Sequence, residues 1–396
     1  MNTEILDKYA DATVNFALGR GAGIKPGDTV YIRCAQIAEP LFRALNKAVV
    51  KAGGNVIPGY VPNGFDFDWA NRDLFLNGST EQISYFPKNF YKGIFSECQH
   101  LINVHTPQLL FSDISPDKKV GFARKIGAFN NKRTKLESQG KFSYTVIVYP
   151  TQYMADNGGL TLEECWQQII KGCYLNEANP VEIWRGLQKK IHGVRDTFNN
   201  LNIKKIRIVG PNVNLEMELG KHRQFLGLSG RNFPSFELFT SPDWRTVNGW
   251  VQFDIPLIRG GKKITKIFLR FVNGIVIESR AEENYDLLQK ILSTKNATKL
   301  GEIAFTDKND SNITNGMGHT LFTENLGGTF HFALGKYYPQ AYSGTEALTS
   351  KVARELGLND CKTHDDIVFG GEFTVFAEIG EGREIELMSE GVFKVR

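Results

Sequence analysis

The sequence predicts two domains, an amino-terminal α/β domain with a largely parallel sheet and a carboxy-terminal antiparallel β-rich domain. Segments with the apolar patterns of strands and of helices alternate up to about residue 204, whereas strand-like segments then follow one another through short turns. The chain has 396 residues, which is more than a single hydrophobic core usually organises. We therefore expect the α/β domain at 1–204 and the β-rich domain at 205–396.

The alternation begins with a helix at 3–18, where apolar side chains recur at helical spacing and the glycines that follow end the helix. Further helices are predicted at 39–54, 161–175 and 179–200, and strands at 28–34, 55–61, 100–106, 143–150 and 205–211. Helices that separate strands in this way are typical of β-α-β units. The strands of such units are parallel and their helices cover the sheet.

The second part has a different sequence pattern, because its strand-like segments are separated by turn residues rather than by helices. These segments lie at 213–220, 248–258, 263–281, 371–380 and 384–395. Asn273 and Gly274 stand between two apolar runs, which is a strong indication of a hairpin turn. A helix is predicted at 282–293. Short connections between strands favour antiparallel pairing, so this domain is expected to be mainly antiparallel.

The composition excludes several classes of protein. The chain has 47 basic and 43 acidic residues, a balance that gives no indication of a nucleic-acid partner. Its five cysteines form no CxxC pair and predict no disulfide framework. The amino terminus lacks the pattern of a signal peptide, and no apolar run approaches the ~18–20 residues that span a bilayer. We therefore expect a cytoplasmic protein without a membrane partner.

Several residues of the first part match binding motifs only by composition. The sequence GRGAG at 19–23 precedes a predicted strand, whereas the glycine-rich loop of a dinucleotide site follows one. A nucleotide-binding protein built on this domain would therefore lack its phosphate loop. His100, His105, His192 and His222 have no acidic partner at metal-ligand spacing, and we expect them to be structural.

Carboxylate and imidazole side chains occur inside apolar strand-like segments of the second part. In THDDIVFGG (363–371), His364 and Asp366 are two residues apart and would share one face of a strand, with Asp365 on the other face. Three further residues of this kind are Glu237, Glu302 and His331. A buried acid or imidazole without a partner lowers the stability of the fold by several kcal/mol. A group of such residues in one domain therefore indicates a common functional site.

These five side chains are the ligand types that bind borderline divalent cations such as Zn²⁺, Co²⁺ or Mn²⁺. Five ligands exceed what one catalytic ion needs if it is to keep a position open for water. Two ions about 3.5–4 Å apart, bridged by a carboxylate, use such a set better. The sequence therefore predicts two divalent metal ions in the second domain.

The same positions resemble the M29 family of metallo-aminopeptidases, of the aminopeptidase T and aminopeptidase S type. The resemblance lies in motifs that occur in the family's order between 232 and 370. They are Asn232-Phe-Pro234 with Glu237, Gly301-Glu302, His331-Phe-Ala333-Leu334-Gly335 reaching Tyr338, and His364-Asp365-Asp366. The two-part layout of the chain agrees with that family.

The resemblance implies a dimeric, cytoplasmic, two-metal exopeptidase that removes amino-terminal residues from peptides with a free amino terminus. It implies six metal ligands, namely Glu237, Glu302, Glu324, His331, His364 and Asp366. Tyr338 would be the catalytic tyrosine that stabilises the oxyanion, and Glu302 would serve both the metals and catalysis.

The chain departs from the family pattern between Glu324 and His331. Thr323 stands where the family has an aspartate, and the loop that follows is longer. Two alternatives therefore stay open beside the aminopeptidase. One is another two-metal amide hydrolase, for example a dipeptidase. The other is a catalytically inactive homologue that binds metal.

Overall fold

The computed structural model describes residues 2–61, 72–107, 118, 132–134, 136–137, 139–259, 261–380 and 382–395. The chain divides into two compact units, one comprising Met1–Gly186 with Ser229–Ser235 and the other Leu187–Leu228 with Phe236–Arg396. A domain boundary at 204/205 stays a prediction of the sequence.

The first unit contains a four-stranded sheet in which every neighbouring pair is parallel. Its strands are β1 (Thr29–Ala35), β2 (Asn55–Val61), β3 (His100–His105) and β4 (Ser143–Val148), in the order β2-β1-β3-β4. The strand interiors are largely buried, as expected of a parallel sheet covered by helices. The predicted α/β class of this part is confirmed.

Several helices of the first unit begin at a residue whose side chain accepts a hydrogen bond from the first turn, namely Asn2, Ser79, Thr151 and Thr161. The described helices that lie wholly in this unit are α1 (Thr3–Ala12), α2 (Glu39–Lys51), α3 (Arg72–Asn77), α4 (Thr80–Ser84), α5 (Lys88–Glu97), α6 (Gln152–Gly158) and α7 (Leu162–Gly172), and α8 (Pro180–Asn200) begins in this unit and ends in the second. Thr161 and Glu164 form a capping box before α7, which satisfies two backbone donors at once. The first helix ends earlier than predicted, because a π-helical turn (Thr13–Ala17) and a 3₁₀ turn (Leu18–Gly21) replace its last part.

The second unit is built on two antiparallel sheets. An eight-stranded sheet has the order β13-β12-β9-β6-β5-β17-β18-β19, and a five-stranded sheet has the order β16-β15-β14-β8-β7. The strands are β5 (Ile203–Gly210), β6 (Val213–Glu218), β7 (Leu226–Gly227), β8 (Glu237–Thr240), β9 (Asn248–Gln252), β10 (Leu257–Arg259), β11 (Lys262–Ile264), β12 (Phe268–Val272), β13 (Ile275–Arg280), β14 (Leu300–Thr306), β15 (Thr329–Gly335), β16 (His364–Phe369), β17 (Thr374–Ile379), β18 (Arg383–Ser389) and β19 (Val392–Phe393).

The predicted antiparallel β-rich class of the second part is likewise confirmed. Asn273 and Gly274, both at positive φ, form the turn of the hairpin β12–β13. A separate hairpin joins β10 to β11. The short helices of this unit are α9 (Tyr285–Leu292), α10 (Thr320–Thr323) and α11 (Ser350–Glu355). Helix α9 lies within the predicted 282–293.

The five-stranded sheet has one apolar face, which contributes to the core of the second unit. Ile303, Phe305, Phe330, Phe332 and Ile367 are almost fully buried in a hydrophobic cluster with side chains of the eight-stranded sheet. Phe332 meets Phe253 and Phe271 edge-on, at centroid distances of 5.0 and 5.7 Å. Because side chains alternate along a strand, the residues between these point to the opposite face.

Among the residues that the structure describes, no helix has both the length and the apolarity that crossing a membrane requires.

Candidate metal centre

The strand register brings the predicted ligands to one face of the five-stranded sheet. Ala304 pairs with His331, Ala333 with Asp366, and Thr306 with Glu237. Directly paired residues of antiparallel strands share a face, as do residues two apart on one strand. The face opposite the apolar cluster therefore holds Glu237, Glu302, His331, His364 and Asp366.

The ligand atoms of these side chains form two groups, in each of which all atoms lie within 4.8 Å of one another. The first group is Glu237, Glu302 and His331, and the second is Glu302, His364 and Asp366. Glu302 belongs to both. Its Oε1 is 3.9 Å from His331 Nε2, and its Oε2 is 3.1 Å from His364 Nε2. The two oxygens of one carboxylate thus face two different imidazoles, which is the arrangement that a bridging ligand requires.

Small residues separate the ligands on this face. Ala304 and Ala333 are fully buried between the acidic and imidazole side chains. Gly301 precedes Glu302 at a bulge in β14, and a Cβ on Gly301 would lie 2.3 Å from the carbonyl oxygen of Lys336. Larger side chains would fill the space between the two groups or displace Glu302.

A backbone carbonyl orients the ring of His364. Its Nδ1 donates a hydrogen bond of 2.7 Å to the carbonyl oxygen of Lys336, because a carbonyl can only accept. This leaves Nε2 as the nitrogen that faces Glu302 and Asp366, at 3.1 and 3.2 Å. Such an outer hydrogen bond is what commonly fixes the tautomer of a metal-binding histidine.

Glu324 lies beside the second group. It caps the carboxyl end of α10 and is buried, and burial together with the negative charge of Asp366 raises its pKa. Its backbone carbonyl accepts from Thr306 Oγ1 at 3.2 Å, and the next residue, Asn325, accepts from Phe236 N at 2.6 Å. Glu324 and Asn325 are therefore held by the end of β14 and by the residue that precedes β8.

Thr323 has a local role in the helix. Its hydroxyl donates to the carbonyl of His319 one turn earlier, at 3.1 Å, and it packs against Gly316, where a Cβ would come within 2.2 Å of Thr323 Oγ1. Thr323 thus supplies a contact within the helix and no charge.

Tyr338 stands next to the second group. Its ring meets that of His364 edge-on, with 5.1 Å between centroids, and lies 5.1 Å from the ring of Phe239. Its backbone N–H donates to Ser241 Oγ at 3.0 Å, which holds the segment after β15 against the end of β8.

Asp365 lies on the other face of β16. Its side chain is 2% exposed and forms an ion pair of 3.3 Å with Arg259, at the end of β10. Burial raises the pKa of Asp365, although Arg259 opposes this shift. The position agrees with the expectation that Asp365 is not a ligand.

Burial and neighbouring charges shift the pKa values of the cluster in different directions. Burial raises the pKa of Glu302 to about 7 and that of Glu324 well above its ordinary value, and it lowers the pKa of His331 to about 4. Burial also acts on His364, but the charge of Asp366 outweighs it and raises the pKa of His364. The shifts of Glu302, Glu324 and His331 favour the uncharged form of a buried group, whereas the shift of His364 favours its charged form beside Asp366.

The donor set fits divalent cations. Within the described part of the chain, Glu302 and Asp366 form ion pairs only with histidines. Asp366 Oδ1 is buried without a hydrogen-bond partner there. Several buried carboxylates with so little compensation are unfavourable unless a cation binds between them. Carboxylates and imidazoles at these distances suit Zn²⁺, Co²⁺ or Mn²⁺.

The comparison with known families supports a metal centre. A family model described as "Thermophilic metalloprotease (M29)" matches residues 2–393, nearly the whole chain. The chain belongs to the M29 family.

Two aminopeptidases are similar to this chain over most of their length. Aminopeptidase 2 of Geobacillus stearothermophilus is 27% identical, covering 92% of this chain and 91% of that protein. Aminopeptidase PepS of Streptococcus thermophilus is 24% identical, covering 93% and 92%. The solved structure of wild-type AmpT from Thermus thermophilus has a TM-score of 0.80 and 23% identity, and the match covers 99% of both chains.

These findings confirm the resemblance inferred from the sequence motifs, and the structural match agrees with the two-part fold. Since the M29 family and the relatives named above are metallo-aminopeptidases, the predicted enzyme class, a hydrolase of the exopeptidase type, is confirmed. A metal requirement follows from the family. The number and identity of the ions and the role of each residue stay predictions.

Sequence reasoning missed the residues that support the ligands. Lys336 acts through its backbone carbonyl, for which no sequence signal exists. The only indication in the sequence for Ala304 and Ala333 is their small size, and each pairs with a predicted ligand on the neighbouring strand. His100, expected to lack an acidic partner, has one in Asp28, whose Oδ2 is 2.9 Å from His100 Nε2. The two residues are far apart in sequence, so only the sheet brings them together.

Proposed function

We propose that this chain is a two-metal aminopeptidase that removes residues from the free amino termini of peptides. The observation that carries the proposal is the position of Glu302, whose two carboxylate oxygens face His331 and His364 in two adjacent ligand groups. Glu237 and His331 would hold one ion and His364 and Asp366 the other, with Glu302 shared and Glu324 assisting beside Asp366. Bound Zn²⁺, Co²⁺ or Mn²⁺ ions would supply Lewis acidity and an activated water.

The chain's own residues would position the substrate and stabilise charge. Tyr338, with its ring against His364, would donate its phenolic hydrogen to the oxyanion that forms at the attacked carbonyl. The Lys336 carbonyl would keep His364 in the tautomer that presents Nε2. Glu324, whose pKa is raised by burial and by the charge of Asp366, would hold a proton or release it as the charge of the site changes.

Metal analysis combined with a pair of substrates tests this proposal. Protein purified without chelator should hold about two divalent ions per chain. It should hydrolyse leucine 4-nitroanilide and leave N-acetyl-leucine 4-nitroanilide intact, because only the first has a free amino terminus. Absence of bound metal at any loading would remove the basis of the proposal.

The same assays separate the alternatives. Equal hydrolysis of the free and the acetylated anilide, or cleavage of dipeptides only, would identify another two-metal amide hydrolase. Metal binding without hydrolysis of any peptide would identify an inactive homologue, the possibility raised by the altered loop after Glu324. A homodimer and a cytoplasmic location, both implied by the resemblance, are part of the proposal and are tested by sedimentation and by fractionation of cells.

A further inference from the structure

Three polar side chains of the first unit, outside the candidate metal centre, are linked by hydrogen bonds. Asp28 immediately precedes β1, His100 begins β3, and Ser143 begins β4, and His100 and Ser143 are direct partners in the sheet. His100 Nδ1 is 2.8 Å from Ser143 Oγ, and His100 Nε2 is 2.9 Å from Asp28 Oδ2. The amino ends of three parallel strands thus assemble a serine, an imidazole and a carboxylate.

The donors and acceptors among these three side chains determine where their protons lie. The carboxylate of Asp28 can only accept, so Nε2 of His100 carries the hydrogen. Burial lowers the pKa of His100 despite the bond to Asp28, so the ring is neutral near pH 7 and its Nδ1 is an acceptor. The Ser143 hydroxyl must therefore donate to Nδ1. Gly19 N–H donates to Ser143 Oγ at 3.0 Å, which orients the hydroxyl without using its proton.

These side chains line a cavity of about 480 Å³. The loop that contains Gly19 and Arg20 forms one wall, and both residues have a φ of 62°. Lys25 and Lys141 also line the cavity, as does Arg20, whose guanidinium donates to the backbone carbonyl of Glu137, and Asp28 is the one acidic residue among the described lining residues. The charge of Asp28 is already engaged by His100 and by the backbone N–H of Lys25, at 2.7 Å. The cavity is therefore suited to a small molecule that carries negative charge.

We propose that Ser143 is the nucleophile of a second, metal-independent acyl-transfer site that accepts small anionic esters. Ser143 Oγ attacks the ester carbonyl while its proton passes to His100 Nδ1. The alkoxide leaves with that proton as an alcohol, and an acyl-serine remains. Water then attacks the acyl-serine, giving its proton to Nδ1. That proton returns to Ser143 Oγ as the carboxylic acid departs. Asp28 is a positioning residue, which holds His100 in the Nε2–H tautomer.

Labelling with a fluorophosphonate probe tests the nucleophile. The full chain is treated with chelator, reacted with the probe, digested and mapped by mass spectrometry. We expect an adduct on Ser143, formed by loss of fluoride, at a rate about 10²-fold lower in His100→Gln, which lacks the general base. Thr145→Val is the matched control, because Thr145 lies two residues further along β4 and its hydroxyl has no partner among the described residues.

The adduct on Ser143 is sought in wild-type protein, so this part of the test does not depend on the folding of a variant. Absence of an adduct on Ser143, or an equal rate in folded His100→Gln, would overturn the proposal. A slower rate in Thr145→Val than in wild type would point to a general disturbance of β4 and would also count against it.

A pair of esters tests the substrate class. The 4-nitrophenyl monoester of succinic acid should be hydrolysed faster than 4-nitrophenyl butyrate by chelated protein, and Ser143→Ala should lose this activity. Glu302→Gln should keep it, which separates this site from the metal centre. Succinate ester hydrolysis that disappears with Glu302→Gln, or that needs added metal, would assign the activity to the metal site and refute the proposal.

The role of Asp28 requires a measurement that a purely structural residue would not alter. In protein with ¹⁵N-labelled histidines, the His100 resonances should show a protonated Nε2 and a bare Nδ1 near pH 7. Asp28→Asn should change that tautomer and slow labelling of Ser143. A wild-type His100 with hydrogen on Nδ1, or unchanged labelling in Asp28→Asn, would contradict the proposed relay.

Discussion

The two faces of the five-stranded sheet come from the same strands and have opposite chemistry. On one face Phe305, Phe332 and Ile367 pack into the core of the second unit. On the other, Glu302, His331 and Asp366 come together with few compensating partners. Adjacent residues such as His331 and Phe332 therefore perform unrelated tasks. The apolar face stabilises the strands. The stable strands in turn hold the carboxylates of the other face close to one another, although their mutual repulsion is unfavourable.

The difference teaches how a charged cluster can be built into a stable fold. Bringing buried carboxylates together raises the pKa of Glu302 and Glu324, mainly through loss of hydration, and so opposes folding when the acids are ionised. Apolar burial on the opposite face offsets this cost at ~25 cal/mol per Å². Substitutions on the two faces should therefore have separable effects, on metal and activity for one and on stability for the other.

Glu302→Gln should have the largest effect, which is the loss of hydrolysis. The side chain keeps its volume but loses the charge shared by both ligand groups, so metal content should fall and turnover should drop to background. Anilide hydrolysis and metal analysis measure these losses, and circular dichroism should show an intact fold. Turnover near the wild-type rate would show that Glu302 does not belong to the active site.

Phe332→Ala should show the opposite behaviour. Phe332 is fully buried against Phe253 and Phe271, so its truncation should lower the free energy of unfolding by about 3–5 kcal/mol. The folded fraction should keep its metal and its kcat, because the side chain points away from the ligands. Phe332→Leu should destabilise less. Denaturant titration and activity per folded molecule test this, and a loss of metal in proportion to stability would break the separation of the faces.

The alternation that separates the faces is visible in sequence, which is why much of this sheet could be predicted. His364-x-Asp366 at the start of an apolar run predicted a strand with both ligand types on one face, and β16 begins at His364. Glu302 inside LGEIAF predicted a strand for the same reason. Strand pairing is a different matter. No local pattern shows that Ala333 pairs with Asp366, because register depends on contacts between distant segments.

Loop geometry was the least predictable part of the candidate site. Glu324 ends a short helix that no periodicity in the sequence indicates, since α10 spans only Thr320–Thr323. The first helix also ended before its predicted limit, because a π-helical turn replaces its last part. The bond between His100 and Asp28 is beyond sequence patterns, as it joins the starts of two strands across the sheet.

Tyr338→Phe should have a smaller effect that distinguishes catalysis from binding on the ligand face. The ring keeps its contacts with His364 and Phe239, and no charge is removed from the ligands. Loss of the hydroxyl should lower kcat by about 10²–10³-fold, with little change in KM and metal content, if it donates to the oxyanion. A fall in kcat below about threefold with a stability loss of ~1 kcal/mol would indicate a structural hydroxyl instead.

Asp365→Asn should have the smallest effect, although it changes the residue between two predicted ligands. Asp365 is on the core-facing side of β16, where its carboxylate is buried and pairs with the half-exposed Arg259. The substitution removes this ion pair but also removes a buried charge, and the two contributions oppose each other, so stability should change by no more than about 1 kcal/mol. Asp366→Asn is the matched variant, with the same atomic change on the ligand face, and should lose metal and activity. Metal analysis and anilide hydrolysis of both variants decide the matter. Equal loss in the two would mean that β16 does not keep its faces apart, because only an extended strand can place neighbouring aspartates in such different surroundings.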